Sequence, residues 1–116
     1  LGFVPIVPNE LPKSWRATSA KVAEDRWQLG VLDDSGEFFG LSQNVGSIDS
    51  LIRERAKGSK YVGPVEVAGQ IWYLYKRPGK DLTLAREFGD QAVMVTSTAK
   101  QAEIEDYVRT LVRYSG

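Results

Sequence analysis

The sequence predicts an α+β domain: an antiparallel sheet of about six to seven strands in two meanders, with a short middle helix and a C-terminal helix packed against it. Three observations carry that expectation. Apolar residues alternate with period 2 along most of the chain, turn residues interrupt those runs at hairpin spacing, and two segments switch to helical period. With 116 residues, 42% of them hydrophobic, the chain is long enough to bury one core.

Residues 1–14 are read as a proline-containing extended strap, and residues 15–116 as a single α+β domain. Pro5, Pro8 and Pro12 stand among Phe3, Val4, Ile6, Val7 and Leu11, and that proline spacing favours extended backbone over helix. Thr18, Ala20 and Val22, then Trp27, Leu29 and Val31, show the alternation of half-buried strands on either side of a charged turn at 23–26. Asp33-Asp34-Ser35-Gly36 has the chemistry of a tight turn, after which Phe39 and Leu41 resume a strand and complete a first meander.

Ile48, Leu51, Ile52 and Ala56 then recur at helical spacing behind Ser47, a candidate N-cap, with Gly58 past the end. Pro64 to Val67 and Ile71 to Lys76 alternate around a turn at Gly69, Pro78-Gly79-Lys80-Asp81 makes another turn, and Leu82–Arg86 and Ala92–Thr96 meet across Gly89-Asp90. Val93-Met94-Val95 is apolar on both faces, as a central strand would be. Ile104, Tyr107, Val108, Leu111 and Val112 form the clearest helical stripe, with a capping box expected over Thr98-Ala99-Lys100-Gln101.

Composition excludes several chemistries. With no His and no Cys, the chain has no Ser-His-Asp or Cys-His nucleophile system, no imidazole or thiolate metal site and no disulfide. No catalytic residue, metal centre or cofactor site is expected. Ser97-Thr98-Ala99-Lys100 has the Ser-x-x-Lys spacing of the β-lactamases, but the companion Ser-Asp-Asn and Lys-Thr-Gly elements are absent, and helix capping accounts for the spacing. A hydrolase built on that pair would need Lys100 desolvated beside Ser97. Asp33, Asp34 and Glu37 are read as a solvated turn rather than a Ca²⁺ loop, because the EF-hand spacing is missing. Gly58-Ser59-Lys60 lacks the further glycines of a phosphate-binding loop.

Tyr73, Tyr75, Lys76 and Arg77 interleave aromatic and basic residues, and Arg53, Arg55, Lys57 and Lys60 extend a basic surface. The 15 Lys and Arg are balanced by 15 Asp and Glu, which argues against a nucleic-acid footprint; the readings that stand are a solvated face and a surface for an anionic partner or a lipid headgroup layer. Trp15, Trp27 and Trp72 serve either as core pillars or as a binding platform. Core is favoured for Trp27 and Trp72, which lie in alternating strands.

Leu11-Pro12-Lys13-Ser14-Trp15-Arg16-Ala17-Thr18-Ser19, Trp27-Gln28-Leu29-Gly30 and Gly69-Gln70-Ile71-Trp72 together resemble the Leu-Pro-x-x-Trp-x-x-Thr-Ser, Trp-x-Leu-Gly and Gly-x-x-Trp pattern of an actinobacterial family of membrane-anchored proteins of unknown function. Gln28 stands where many relatives carry a His. The resemblance spans nearly the whole chain and implies an N-terminal membrane helix, absent from this chain, which begins at Leu1 as a trimmed or processed chain would, and a domain on the extracytoplasmic side of the cell membrane. It implies no activity. The layout is also similar, at the level of fold, to the α/β/α sandwich of the photosystem PsbP-like proteins.

The expected function is therefore a non-catalytic extracytoplasmic binding or scaffolding module. Its partner would be an envelope protein or a lipid surface, met through one sheet face or the basic helix edge. The alternative is a carrier of a small apolar or aromatic ligand, held between sheet and helix by Trp15, Trp72, Tyr73 and Tyr75. Candidate binding residues are Trp15, Trp72, Tyr73, Tyr75, Arg53, Lys76 and Arg77.

Overall fold

Seven of the extended runs pair into one antiparallel sheet in the computed structural model, which describes residues 2–115. The elements run β1 (Ile6–Pro8), β2 (Arg16–Ala23), β3 (Arg26–Leu32), β4 (Phe38–Val45), α1 (Ile48–Arg55), β5 (Lys60–Val67), β6 (Gln70–Arg77), β7 (Asp81–Phe88), β8 (Gln91–Ser97), α2 (Gln101–Arg109) and β9 (Leu111–Arg113). The main sheet has the order β2-β3-β4-β8-β7-β6-β5, so two meanders meet where β4 pairs with β8. β8 is the middle strand, as its two apolar faces predict. Gly69 and Gly89 supply the positive φ of the β5–β6 and β7–β8 turns, and Ala68 is the one non-glycine held at positive φ among the described residues.

Alternation along the strands sends side chains to two faces, and each face is covered by one helix. Phe39, Leu41, Trp72, Leu84, Val93 and Val95 pack with Ile104, Tyr107 and Val108 of α2. Ala85, Ala92 and Met94 pack on the other face with Ile48, Leu51, Ile52 and Ala56, the apolar stripe of α1. The result is three layers, α1, sheet and α2. α1 begins as its sequence predicts: the Ser47 hydroxyl accepts from Ser50 N at 3.2 Å. Its other end is tied to β3 and β4, where Arg26 and Asn44 both reach the Glu54 carboxylate.

Three expectations about individual elements are corrected. The period-2 pattern of β2 reads as half-buried, yet every residue of that strand is exposed. It is an edge strand beyond the reach of both helices, and a bulge between Ala17 and Ser19 together with Arg16 and Lys21 blunts that edge. The helical stripe runs on through Leu111 and Val112, but α2 ends at Arg109. Those residues instead form β9, pairing antiparallel with the strap at Pro8↔Leu111, Val7↔Val112 and Ile6↔Arg113; a tertiary strand pairing overrides local period. Finally, α2 starts at Lys100, whose N–H donates to the Glu103 carboxylate at 3.2 Å, and not at Thr98. The Thr98 hydroxyl is used instead to accept from Phe38 N at 3.1 Å.

The strap packs on the α2 face. Ile6 is buried in the main core, and its N–H donates 2.7 Å to Oε1 of Gln43, a fully buried side chain on β4. The Gln43 amide in turn donates to Gln91 Oε1 at 2.8 Å and Val4 O at 3.2 Å. Trp27 Nε1 donates to Ile6 O at 3.3 Å, so the strap is clamped from both β3 and β4.

Candidate functional site

α1 lies over β7 and β8 and leaves β2, β3 and much of β4 without a helix on that face. The uncovered area carries small residues because of the alternation in β4, where Gly40 and Ser42 face α1's side while Phe39, Leu41 and Gln43 face α2. Gly30 of β3 pairs directly with Gly40. Two adjacent glycines open a hollow that the ring of Phe38 partly roofs: a Cβ on Gly40 would stand 2.9 Å from Phe38 Cε2, and one on Gly30 would stand 3.1 Å from Phe38 Cε1 and 2.8 Å from Ser19 Oγ.

The hollow is a cleft of about 240 Å³. Its lining is mixed: Gln28, Ser42 and Thr96 contribute polar side chains beside Leu29, Leu41 and Met94, and Arg55 at the end of α1 forms one wall. Arg55 is half-buried, its Nε is shielded from solvent without a hydrogen-bond partner in the protein, and it joins none of the ion pairs among the described residues. The far end is closed by Arg77 and Asp81. These form a two-pronged ion pair, Arg77 Nε to Asp81 Oδ1 at 2.7 Å with a second contact between Nη2 and Oδ2. Hydrogen bonding to the Asp81 carboxylate pushes the Arg77 guanidinium pKa up, so that cation is permanent but already matched. Arg55 is the free cation of the cleft.

Of the residues expected at a site, only Arg77 lines this cleft. The four aromatics are divided between the two faces of the sheet. Trp72 is 2% exposed and meets Phe88 edge-on, while Trp15 stacks on Phe39 at 5.0 Å and Tyr107 at 6.1 Å, all on the α2 side. Tyr73 and Tyr75 lie on the α1 side, each within 6.3 Å of the Tyr61 ring. Burial first, and then the negative charge of Asp49, raises the Tyr75 pKa, so its hydroxyl is a neutral donor. Arg53 is exposed on α1, and Lys76 alternates to the α2 side opposite Leu82. Lys76 therefore points away from Arg53 and Arg77, whereas Arg55 and Arg77 line one cleft. Arg55 and the Gly30–Gly40 pair are legible only in part: alternation puts Gly40, Ser42 and Asn44 on one face with Phe38, a small row behind one aromatic, but does not show that a helix stops short of it.

The remaining sequence candidates have structural roles. Ser97 is 1% exposed, and its Oγ accepts from Ala99 N at 3.0 Å, while Lys100 is exposed at the start of α2. That hydroxyl orders the turn into the helix. Asp33 Oδ1 accepts from Ser35 N at 2.8 Å and Glu37 N at 2.9 Å, which holds the β3–β4 turn. Among the described residues no group of three His, Cys, Asp or Glu side chains is placed to hold a metal ion, and no helix is long and apolar enough to cross a membrane.

Neither the curated proteins nor the solved structures contain a significant match to this chain. Residues 1–111 match the family described as Protein of unknown function (DUF4245), and the chain belongs to that family.

Proposed function

We propose that this domain is a non-catalytic binding module of the cell envelope, tethered to the membrane through a segment upstream of the strap, and that it takes an anionic group of its partner into the cleft beside α1. One observation carries the reading: Arg55 is a half-buried cation without a counter-ion, on the wall of a cleft where Gln28, Ser42 and Thr96 can accept or donate hydrogen bonds. A carboxylate or phosphate in the cleft would pair with that guanidinium while Ser42, Thr96 and Gln28 orient it. The chemistry of this reading is recognition: the cleft offers a guanidinium and hydrogen-bonding side chains to an anionic group.

The tether fits this placement. Gly2 N donates to Glu24 O at the β2–β3 turn, 2.9 Å away, and Thr98 lines the cleft at the opposite end of the strands. A partner would approach from the end remote from the membrane.

The test is site-specific photocrosslinking of the full-length protein in its own membrane. A benzophenone side chain at Gln28, in the cleft, is expected to capture an envelope component that the same group at Val112, on the β1–β9 ribbon, does not. Arg55→Glu is expected to abolish that product. Equal capture from both positions, or capture indifferent to Arg55→Glu, refutes the reading.

A further inference from the structure

A second cavity lies on the other side of the sheet, at the corner where the strap turns into β2. Its volume is about 260 Å³, and Trp15, Phe39, Tyr107, Leu11 and Pro12 form its apolar part. Four carboxylates, Glu10, Asp33, Glu103 and Asp106, line the same cavity. We propose that this pocket binds a small organic cation with an alkylated ammonium head, seated on the Trp15 ring inside the carboxylate rim.

The aromatic part is a preorganised platform. Phe39 and Tyr107 are buried at 0% and 2% exposure, with ring centroids 5.2 Å apart, and they back the half-buried Trp15 at 5.0 and 6.1 Å. Indole is the best of the aromatic faces for a cation, and a ring held by stacking on two buried neighbours loses little freedom when a ligand arrives. The rim supplies the complementary charge. Asp106 is engaged by Arg109 at 2.6 Å, but Glu10, Asp33 and Glu103 join none of the ion pairs among the described residues.

Two features select the class of cation. The carboxylates surround the cavity and do not converge: no three of them are placed to hold a metal ion, so the charge they match is spread over a larger body. A bare ammonium is strongly hydrated and needs acceptors for each N–H, whereas the wall here is aromatic carbon. Alkyl groups on the nitrogen remove that demand and pack against the rings, leaving the carboxylates to act through space. The cavity is independent of the cleft beside α1, sharing no lining residue with it.

The test is an NMR titration of the whole chain with choline and, separately, with its neutral isostere 3,3-dimethylbutan-1-ol, read at the three tryptophan indole N–H resonances. Choline is expected to move the Trp15 indole and leave those of Trp27 and Trp72 in place. The neutral isostere is expected to bind about tenfold more weakly, the effect of a desolvated cation–aromatic contact. Choline is also expected to move the backbone amide resonances of the lining residues Leu11 and Thr110, and in Trp15→Leu, which no longer carries the indole reporter, those amides are expected to stay in place. Glu10→Gln, at an exposed rim position outside the ion pairs among the described residues, is expected to weaken the choline response severalfold, and unchanged Trp27 and Trp72 resonances certify that each variant is folded. No movement of the Trp15 indole, or equal response to choline and its isostere, overturns the proposal. Since the crosslinking experiment addresses the opposite face, either result can fail without the other.

Discussion

Replacing Gln43 by Met keeps a straight side chain of similar length and removes every hydrogen bond that clamps the strap to β4. Gln43 is fully buried, and its amide serves Ile6 N at 2.7 Å, Gln91 Oε1 at 2.8 Å and Val4 O at 3.2 Å. The three partners are not equivalent. Val4 is 46% exposed, and Gln91 is half-buried, so both recover water when the amide is lost. Ile6 is 6% exposed, and its N–H points away from β9 toward the sheet, so it is left buried without an acceptor. That single orphan costs about 1–3 kcal/mol, and the improved transfer of a thioether over an amide offsets part of it. The expected net loss is about 2 kcal/mol. Urea denaturation measures the global change, and hydrogen exchange at the Ile6 amide locates it; a local opening of that size speeds exchange roughly 30-fold. A loss under about 0.5 kcal/mol with unchanged Ile6 exchange would refute the argument that Gln43 holds the strap, because the orphaned donor would then have found another partner.

Two further outcomes follow from burial and close approach. The Tyr107 hydroxyl is buried with no hydrogen-bond partner in the protein, and burial drives its pKa far above the ordinary tyrosine value; Tyr107→Phe is therefore expected to stabilise the fold by about 0.5–1 kcal/mol at neutral pH. Because the folded pKa is raised, the unfolded chain loses this proton first, near pH 10, so stability falls as pH rises beyond that point; Tyr107→Phe should flatten the alkaline limb of a stability profile measured by thermal denaturation. Gly30→Ala should cost more than Gly40→Ala, about 2–3 against about 1 kcal/mol by chemical denaturation. A new Cβ at Gly40 is crowded by the rotatable ring of Phe38 and stands in ordinary contact with Thr96 O at 3.7 Å, whereas at Gly30 it meets Ser19 Oγ at 2.8 Å and Thr18 Oγ1 at 3.0 Å as well as Phe38.

What was legible in the sequence is what local chemistry decides. The Gly69 and Gly89 turns set the hairpins of the second meander, the Ser47 cap sets the start of α1, and the two-sided apolar run 93–95 places β8 at the centre. What was not legible depends on partners distant in sequence. Leu111 and Val112 continue the helical period of α2 without fault, yet the strap claims them as β9. Val22 alternates like a buried strand residue and is 66% exposed, because nothing covers the sheet edge on which it stands. Gln43 stands between Ser42 and Asn44 in the sequence with no signal that it will accept from a residue 37 positions earlier. At the site the same division holds. The parity between Trp72 and Tyr73 separates Tyr73 and Tyr75 from Trp72 within β6, whereas the face on which Trp15 lies depends on the whole sheet order.

The open cleft follows from a mismatch of sizes. Seven strands at about 4.8 Å spacing make a sheet about 29 Å wide. A helix of 8 residues is about 12 Å long and, with side chains, about 10 Å across, so it screens two or three strands. On the α2 face the deficit is met by the β1–β9 ribbon, which lays Ile6 against Gln43 and Trp27 beside the helix. On the α1 face no second element comes, and the strands there must tolerate water. Large apolar residues at Gly30, Gly40, Ser42 and Thr96 would form an exposed patch of the kind that drives association, so that row is small and polar. Smallness beside a helix end leaves a concavity, and Arg55 is the last helical residue on its rim. The folding requirement thus accounts for the cleft's shape and for its small side chains at Gly30, Gly40, Ser42 and Thr96. It does not account for an arginine whose Nε is buried at the cleft wall with no partner, because a glutamine or alanine at the same position would close the helix with less desolvation. That unpaired cation is the feature the fold does not need.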